Sequence, residues 1–488
     1  MAAITIEHEL ARTRQVISPR FNPPFTPLRS RLIHGAALLL WVLLVVRAFG
    51  GGGVFAWSAG LVYIAYDTVL LVFVFWQTLT LLRPAAAPAP EAALPAITVI
   101  VAAHNEAATL PVTLRALLAQ TSPAETILIA DDGSLDDTAR LLREEYGLTA
   151  TPGALSGPSA SHPSLRWLRL PHHGKARALN VACALIETEL VLTVDADTLL
   201  EPEALRAMRD AFAGDATLVA ATGVLTPVCG PSVQGRLLQW FQTYEYVRNF
   251  LSRYAWMRVN GLLLISGAFA CYRRRALLAV GGFDPDCLVE DYELTHRLRD
   301  YAGRRGMVWH TSVVGGAHAR TDAPSTPAAF LRQRRRWFGG FLQTQLWYRH
   351  MVGNPRYGRL GTAMLPVKAI DTLQPLYGLT GVVLLLVYLM TGRLGIIEPV
   401  GAVIGIKILI DLAFYIWAMH VYRRWIGGTS RTTLALAVLA AVIEPFSFQL
   451  LRHTGAALGW VSFLTGARPW GVQERLGVGA ATQSKVGP

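Results

Sequence analysis

Cysteine is scarce in this chain, and the few that occur are scattered. Cys183, Cys229, Cys271 and Cys287 include no C-x-x-C pair. That spacing offers neither a zinc knuckle nor a disulfide framework, so free buried thiols in a reducing compartment are the plain expectation. Two phosphate-binding signatures are missing as well. No G-x-G-x-x-G turn follows the first predicted strand and no G-x-x-x-x-G-K-[ST] loop occurs, which argues against a Rossmann dehydrogenase and a P-loop enzyme. No recognised nucleic-acid motif is present. The N-terminus lacks the short charged region, followed at once by an apolar core, of a cleaved signal peptide. Charged residues make up only 16% of the 488, against 52% apolar, and the mean hydropathy is +0.35. That is too apolar for an ordinary soluble enzyme.

What charge there is leans basic, with 45 Lys+Arg against 33 Asp+Glu and a net +12. The clusters RQRRRW (332–337) and VYRR (421–424) lie beside apolar segments. That placement favours a membrane flank and phosphorylated small molecules over nucleic acid. Apolar stretches long enough for a bilayer core of about 30 Å gather at the two ends of the chain. A polar segment (1–31) carries Arg12, Arg14, Arg20, Arg29 and Arg31; spans are predicted at 32–50 and 54–82, with the GGGG at 50–53 as a tight turn. The positive-inside rule puts this N-terminus, and the central domain with it, in the cytoplasm of a multi-pass inner-membrane protein. A Pro/Ala linker (83–96), a soluble domain (97–345) and an interface segment (346–371) follow. Within 372–466 three further spans are expected near 372–391, 398–420 and 432–450, with 455–466 as a short interfacial helix and 467–488 as a tail. Of the acids in these segments, Asp371 and Glu444 sit near span ends and read as interfacial. Asp67 and Asp411 lie deeper, and fit either a polar passage or helix–helix hydrogen bonding.

The central domain alternates strand and helix. ITVIVAAHNEA, TILIADDGS, LRWLRLP and LVLTVDAD read as strands, and TLPVTLRALLAQ and HHGKARALN lead into or form helices. Such alternation predicts an α/β domain with a mostly parallel sheet, and ligands bind at the carboxyl ends of its strands. His104, Asn105, Asp131, Asp132, Lys175, Asp195 and Asp197 all fall there. Asp195-Ala-Asp197 suits one hard divalent cation, Mg²⁺ or Mn²⁺, shared with substrate phosphates; a solvated turn is the alternative. Asp131-Asp132-Gly133-Ser134 is either a helix-capping turn or a carboxylate that accepts from a uracil N–H or ribose hydroxyls. Glu290-Asp291 opens a helical stretch, where acids cap the dipole or take part in chemistry. Gln333, Arg336 and Trp337 edge the membrane region; the guanidinium there either meets lipid headgroups or pairs bidentately with a diphosphate.

In their order AHNE, ADDGS, HGKARALN, DAD, SGAF, ED and QRRRW, residues 97–340 resemble the membrane-embedded family 2 glycosyltransferases of the polysaccharide-synthase type. Cellulose, hyaluronan, chitin and poly-N-acetylglucosamine synthases belong to that group, and the flanking spans look most like the last of these. The resemblance implies a cytoplasmic GT-A-like domain inserted between N- and C-terminal transmembrane helices. It implies that Asn105, Glu106, Asp132, Lys175, Asp195 and Arg336 bind the nucleotide sugar and that Asp197 binds the metal. It places Ser266, Gly267, Glu290, Gln333 and Trp337 on the acceptor side, with Asp291 as general base.

The residues read on their own agree. A sugar hydroxyl needs a carboxylate to take its proton, and the departing diphosphate needs cations. One base without a carboxylate nucleophile fits a single inverting displacement. The favoured expectation is therefore metal-dependent transfer from a UDP-sugar to a growing β-linked polysaccharide, processive and coupled to translocation. The membrane lipids surround it, and there is room for export partner proteins. Transfer of one sugar to a lipid acceptor is the rival, because glycolipid synthases also carry a form of QxxRW. A degenerate transporter or scaffold is a remote third, since it would be expected to have lost an acid. Two departures from the family stand out. Val289 occupies the place where these synthases commonly carry Thr, and no PilZ-like regulatory segment follows the spans.

Overall fold

A run of residues with almost no solvent contact, Ile97–Ala103, forms the first strand of the sheet (β1). It is followed by β2 (Thr126–Asp132), β3 (Leu165–Leu170), β4 (Leu190–Asp195), β5 (Thr198–Leu200), β6 (Leu218–Val228), β7 (Phe269–Arg273) and β8 (His310–Asp322). The computed structural model describes residues 2–50, 53–83, 93–426, 434–467 and 477. Most of the 83–96 linker, the centre of the glycine turn and most of the 467–488 tail lie outside these residues.

The strands make one eight-stranded sheet in the order β3-β2-β1-β4-β7-β6-β8-β5. The four strands legible in the sequence are its parallel half. β7 enters antiparallel beside β4 and turns the sheet into a mixed one, with β6 and β8 parallel to each other beyond it. The parallel half is buried on both faces, as helix-covered sheets are. Trp167, Ile97, Leu128 and Leu192 are fully enclosed. All four cysteines are free and buried.

Among the described residues, four helices are long and apolar enough to cross a membrane: Leu28–Phe49, Val54–Leu82, Leu360–Met390 and Leu394–Ile426. The expected span at 432–450 is different. Its start lies outside the described residues, and its helix Leu434–Ile443 stops at the Glu444–Phe446 turn, where Pro445 lacks the N–H that would continue the ladder. The stretch at 455–466 is no separate interfacial helix. It belongs to Phe448–Thr465, which packs along the helix Pro327–Trp347; a Cβ on Gly459 would lie 2.5 Å from the Phe338 Cβ.

Glu444, expected at an interface, is buried beside the Tyr415 hydroxyl and 3.8 Å from Arg248. Asp67 joins the same cluster through Lys407 (2.8 Å) and Arg248 (3.8 Å), and Lys407 also holds Asp411. Asp371 is fixed by Lys368 (2.7 Å) and the Tyr66 hydroxyl (2.6 Å). Asp67, Asp371, Asp411 and Glu444 are therefore all paired, as buried charges must be.

The polar N-terminus is also ordered by pairing. Helix Ala2–Ile17 lies on the sheet domain, with Arg14 donating to the Gly281 carbonyl (2.6 Å). Just beyond it Arg20 reaches both Asp284 and Asp286 at 2.9 Å. Arginines read from sequence as membrane-flank charge thus clasp the domain.

Candidate active site

β4 ends on Asp195, and Ala196-Asp197 make a turn before β5 begins at Thr198. The turn interrupts the strict alternation of a strand, so the two carboxylates have different surroundings. Asp195 is partly exposed and paired with the Lys175 ammonium, whereas Asp197 is buried. β5 runs antiparallel to β8 with Thr198 opposite Thr321, which brings Asp322 alongside; its N–H donates to the Asp197 carbonyl at 3.3 Å. Burial raises the Asp197 pKa well above the usual carboxylate range, and the charges of Asp195 and Asp322 push the same way. Carboxylates suit a hard divalent cation such as Mg²⁺ or Mn²⁺, and Asp195 and Asp197 are the candidates here; Asp322 meets Asp197 through its main chain, and its Oδ1 accepts from the Gly477 N–H at 2.8 Å. Asp322 has no local sequence signal, because only the distant β5–β8 pairing brings it to the site.

Lys175 is the first residue of the helix Lys175–Leu185, after Gly174 at φ 96°. Asp132 fastens that turn: its carboxylate accepts from the N–H groups of His173 (2.8 Å) and Gly174 (2.9 Å). Asp132, read as a nucleoside contact, is thus engaged in positioning Lys175. Gly133 is required beneath it, since φ is +69° and a Cβ would meet the His172 nitrogen at 2.6 Å. Asp131 is internal, accepting from the Ser134 N–H (2.8 Å) and Trp167 Nε1 (3.2 Å). His104 and His172 stack at 4.2 Å, each with Nδ1 at the Asp132 carbonyl. Asn105 ties two loops together by accepting from the Leu135 N–H at 2.8 Å. Glu106 is turned inward and accepts from the Thr109 hydroxyl (2.7 Å), so it is not presented at the rim.

The second half of the site comes from the helix Glu290–Arg305. Its first turn holds Glu290, Asp291 and Glu293, where the helix dipole favours acids. Glu293 is a structural member, buried between Arg297 and the Tyr348 hydroxyl, both at 2.7 Å. Asp291 Oδ2 accepts from the Gly267 N–H at 2.6 Å. The next carbonyl of that loop, Ala268, accepts from the Asp195 N–H at 3.3 Å. The Ser266-Gly267-Ala268 loop therefore spans the gap between Asp195 and Asp291. Lys175 lies 3.9 Å from Glu290. Burial opposes the Lys175 charge, yet Asp195, Glu290 and Asp291 raise its pKa above the lysine range. Burial also raises Glu290, with Asp291 adding to the effect and Lys175 and Arg336 acting against it.

The arginines of QRRRW divide the work. Arg334 makes a buried pair with Glu245 (2.7 Å) and lies 4.4 Å from the Trp337 ring, and Arg335 donates to Ser462. Arg336 faces the site, donating to the Leu288 carbonyl (3.2 Å) close to Glu290. Gln333 is buried, and its Oε1 has no hydrogen-bond partner among the described residues. Of the residues predicted from sequence, Lys175, Asp195, Asp197, Gly267, Glu290, Asp291 and Arg336 are linked by contacts or mutual charge. Asn105, exposed at the rim, and Glu106, buried, make loop contacts.

Such an array can deprotonate a hydroxyl at one end and neutralise a diphosphate at the other. The comparisons agree with that chemistry. Residues 95–340 match the family described as "Glycosyltransferase like family 2". A poly-beta-1,6-N-acetyl-D-glucosamine synthase of Staphylococcus epidermidis is 27% identical over 254 residues, 50% of this chain and 54% of that one. A hyaluronan synthase of Streptococcus pyogenes is 29% identical over 266 residues, 51% and 58% of the two chains. The chain thus spans just over half the length of these relatives. The solved structure of a mannosyltransferase from Pyrobaculum calidifontis, in complex with GDP-Man and Mn²⁺, shares the fold with a TM-score of 0.54 at 19% identity. That likeness covers 80% of this chain and 99% of the other. With the family's domain matched from the first strand to the QRRRW helix, this chain is a glycosyltransferase of family 2, of GT-A-like α/β fold and flanked by apolar helices.

Proposed function

We propose that this enzyme transfers a sugar from a UDP-sugar to the end of a β-linked polysaccharide, inverting the anomeric carbon, and passes the product into its membrane helices. The observation that carries this reading is the SGAF loop, which holds Asp291 and Asp195 at its two edges through Gly267 and Ala268. An acceptor hydroxyl beside Asp291 gives its proton to the carboxylate as its oxygen bonds to the anomeric carbon. The bond from that carbon to the diphosphate breaks, and UDP leaves with the electron pair. Lys175 and Arg336 face the developing charge. Asp195 and Asp197 would hold Mg²⁺ or Mn²⁺, which neutralises diphosphate charge when bound. Polysaccharide as the acceptor is supported by the two synthase relatives. The contact of helix Ala2–Ile17 with the catalytic domain supports one side of the membrane for both, and five arginines before the first span favour the cytoplasm.

The test uses purified protein in nanodiscs with Mg²⁺ or Mn²⁺. Radiolabelled UDP-glucose, UDP-N-acetylglucosamine and UDP-glucuronate are offered singly and in pairs. Label in a high-molecular-weight, glycosidase-sensitive product is expected. Label confined to a small lipid-soluble product would instead establish a glycolipid synthase.

The loop geometry also makes Gly340 a sensitive position. A Cβ there would lie 2.5 Å from Val289 Cγ2, directly before the Glu290-Asp291 turn. Gly340→Val is expected to displace that turn and lower transfer at least about tenfold, for an overpacking cost of about 1–3 kcal/mol. UDP affinity, read by calorimetry, should be unchanged.

A further inference from the structure

The loop at 280–287, which leads into the Glu290–Arg305 helix, is a junction held from three directions. Arg297, on the same helix as Glu290 and Asp291, donates to the Val280 (2.9 Å) and Gly282 (2.7 Å) carbonyls. Asn180, on the helix that opens with Lys175, exchanges two hydrogen bonds with the Phe283 main chain, at 2.7 and 2.9 Å. The third hold comes from the N-terminal segment. Helix Ala2–Ile17 seats Arg14 on the Gly281 carbonyl at 2.6 Å, so closely that a Cβ on Gly281 would lie 2.7 Å from the Leu10 carbonyl oxygen. Arg20 then grips the loop with its fork. Its Nη1 donates to both oxygens of Asp284 and its Nη2 to Asp286, all at 2.9 Å.

That grip reaches the site through one residue. Asp284 and Asp286 flank Pro285, and Pro285 and Cys287 line a cavity of about 30 Å³ together with Lys175 and Glu290. Arg20 therefore fixes a wall of the cavity across which Lys175 and Glu290 stand 3.9 Å apart. A bidentate guanidinium–carboxylate pair restrains orientation as well as distance, and burial of Asp284 protects it from screening by salt. The segment around Arg20 is itself anchored. The guanidinium carbon lies 5.2 Å from the ring of Trp347, the last residue of the QRRRW helix. Beyond it the Thr26 hydroxyl accepts from Arg349 Nε (2.9 Å), and the Ser30 hydroxyl donates to the Arg349 carbonyl (2.6 Å). The two sides of the cavity depend on this hold unequally. The Lys175 turn is fastened separately by Asp132, and its ammonium by Asp195. The Glu290-Asp291 turn continues directly from the gripped loop.

We propose that Arg20 is a positioning residue for sugar transfer: by gripping Asp284 and Asp286 it sets where the Glu290-Asp291 turn stands relative to Lys175. The assignment rests on the reading of Asp291 as base and of Lys175 as a cation facing the diphosphate. It gives the N-terminal segment a part in the reaction with no contact to substrate.

The test uses full-length protein in nanodiscs and three measurements: single-turnover transfer, calorimetry with UDP and Mn²⁺, and amide hydrogen exchange. Arg20→Gln is expected to lower the rate at saturating donor about tenfold, since a small misplacement of a reacting group is costly. Donor KM, UDP affinity and UDP stoichiometry should be unchanged. Exchange should quicken in peptides covering 281–292 and stay at the wild-type rate in β1. Arg20→Lys, whose single ammonium cannot span both acids as the fork does, should recover part of the rate. Asp286→Asn, which spares the buried Asp284 pair, should fall between wild type and Arg20→Gln. A wild-type rate in Arg20→Gln overturns the proposal, as does unchanged exchange over 281–292. A rate that falls only in step with UDP stoichiometry, with no recovery in Arg20→Lys, also overturns it and makes the grip a folding contact. Transfer by the wild type to lipid alone would remove the polysaccharide reading, while a tenfold slowing of that transfer by Arg20→Gln would still support the assignment. Absence of any transfer by the wild type would overturn both, and the wild-type control alone tells that outcome apart.

Discussion

Asp291→Asn lowers sugar transfer by about a thousandfold and leaves UDP binding intact: this is the expected result if Asp291 takes the proton of the attacking hydroxyl. The amide is nearly the same size but cannot accept a proton at any working pH. Its structural cost can be read from the hydrogen bonds. Both oxygens of Asp291 accept main-chain N–H groups, Oδ2 from Gly267 at 2.6 Å and Oδ1 from Tyr292 at 2.8 Å. Asparagine has one acceptor oxygen, so one of these N–H groups would face an NH₂, at a cost on the order of 1–3 kcal/mol. A modest fall in the unfolding temperature should therefore accompany the loss of rate. The two effects separate in Asp291→Glu, which keeps an acid but moves it by one methylene. That variant should retain a weak pH-dependent activity that Asp291→Asn lacks. Single-turnover rates with bound donor are the measurement. An Asp291→Asn rate within about tenfold of wild type would remove Asp291 from the chemistry, since a positioned base contributes at least about a hundredfold.

How much of this was legible in the sequence depends on the range over which each feature is encoded. β1 to β4 are local: four apolar runs, each closed by a polar turn, give the strands, their parallel pairing and the rim that carries Asp132, Lys175 and Asp195. β7 and β8 are not, because their registers follow from partners far away in sequence. Asp322 therefore stayed hidden until β8 met β5. The main-chain and loop contacts of Asp132 and Glu106 were hidden for another reason. A carboxylate at a strand end looks the same in sequence whether it meets a ligand or a main-chain N–H, and here Asp132 meets the 173–174 turn. The break at Glu444–Phe446 did have a signal in Pro445, outweighed by the hydropathy of the surrounding residues.

Asp197→Asn is expected to abolish metal-dependent transfer while making the metal-free protein more stable. Burial and the charges of Asp195 and Asp322 raise the folded-state pKa of Asp197 above its unfolded value. In the pH range between those two values the folded chain therefore holds a proton that the unfolded chain has released. Stability then falls as pH rises through that range, and the ionised carboxylate is a net cost in the metal-free fold. Asparagine removes the cost. A cation bound by the carboxylates reverses the sign, because it binds the folded state and adds RT ln(1 + [M]/Kd), about 2.7 kcal/mol at a concentration of a hundred Kd. Wild type should thus unfold at a higher temperature with Mn²⁺ than without. Asp197→Asn should start higher and respond little, with a fall in transfer of about a hundredfold or more. Asp322→Asn, which leaves Asp195 and Asp197 in place, should weaken the Mn²⁺ response without erasing it. Unfolding temperatures measured across a Mn²⁺ titration, with EDTA as the zero point, check all three variants without any turnover. An undiminished Mn²⁺ shift in Asp197→Asn would mean that the cation binds elsewhere. A metal-free Asp197→Asn protein less stable than wild type would mean that the carboxylate's hydrogen bonds outweigh its burial and the repulsion of its neighbours.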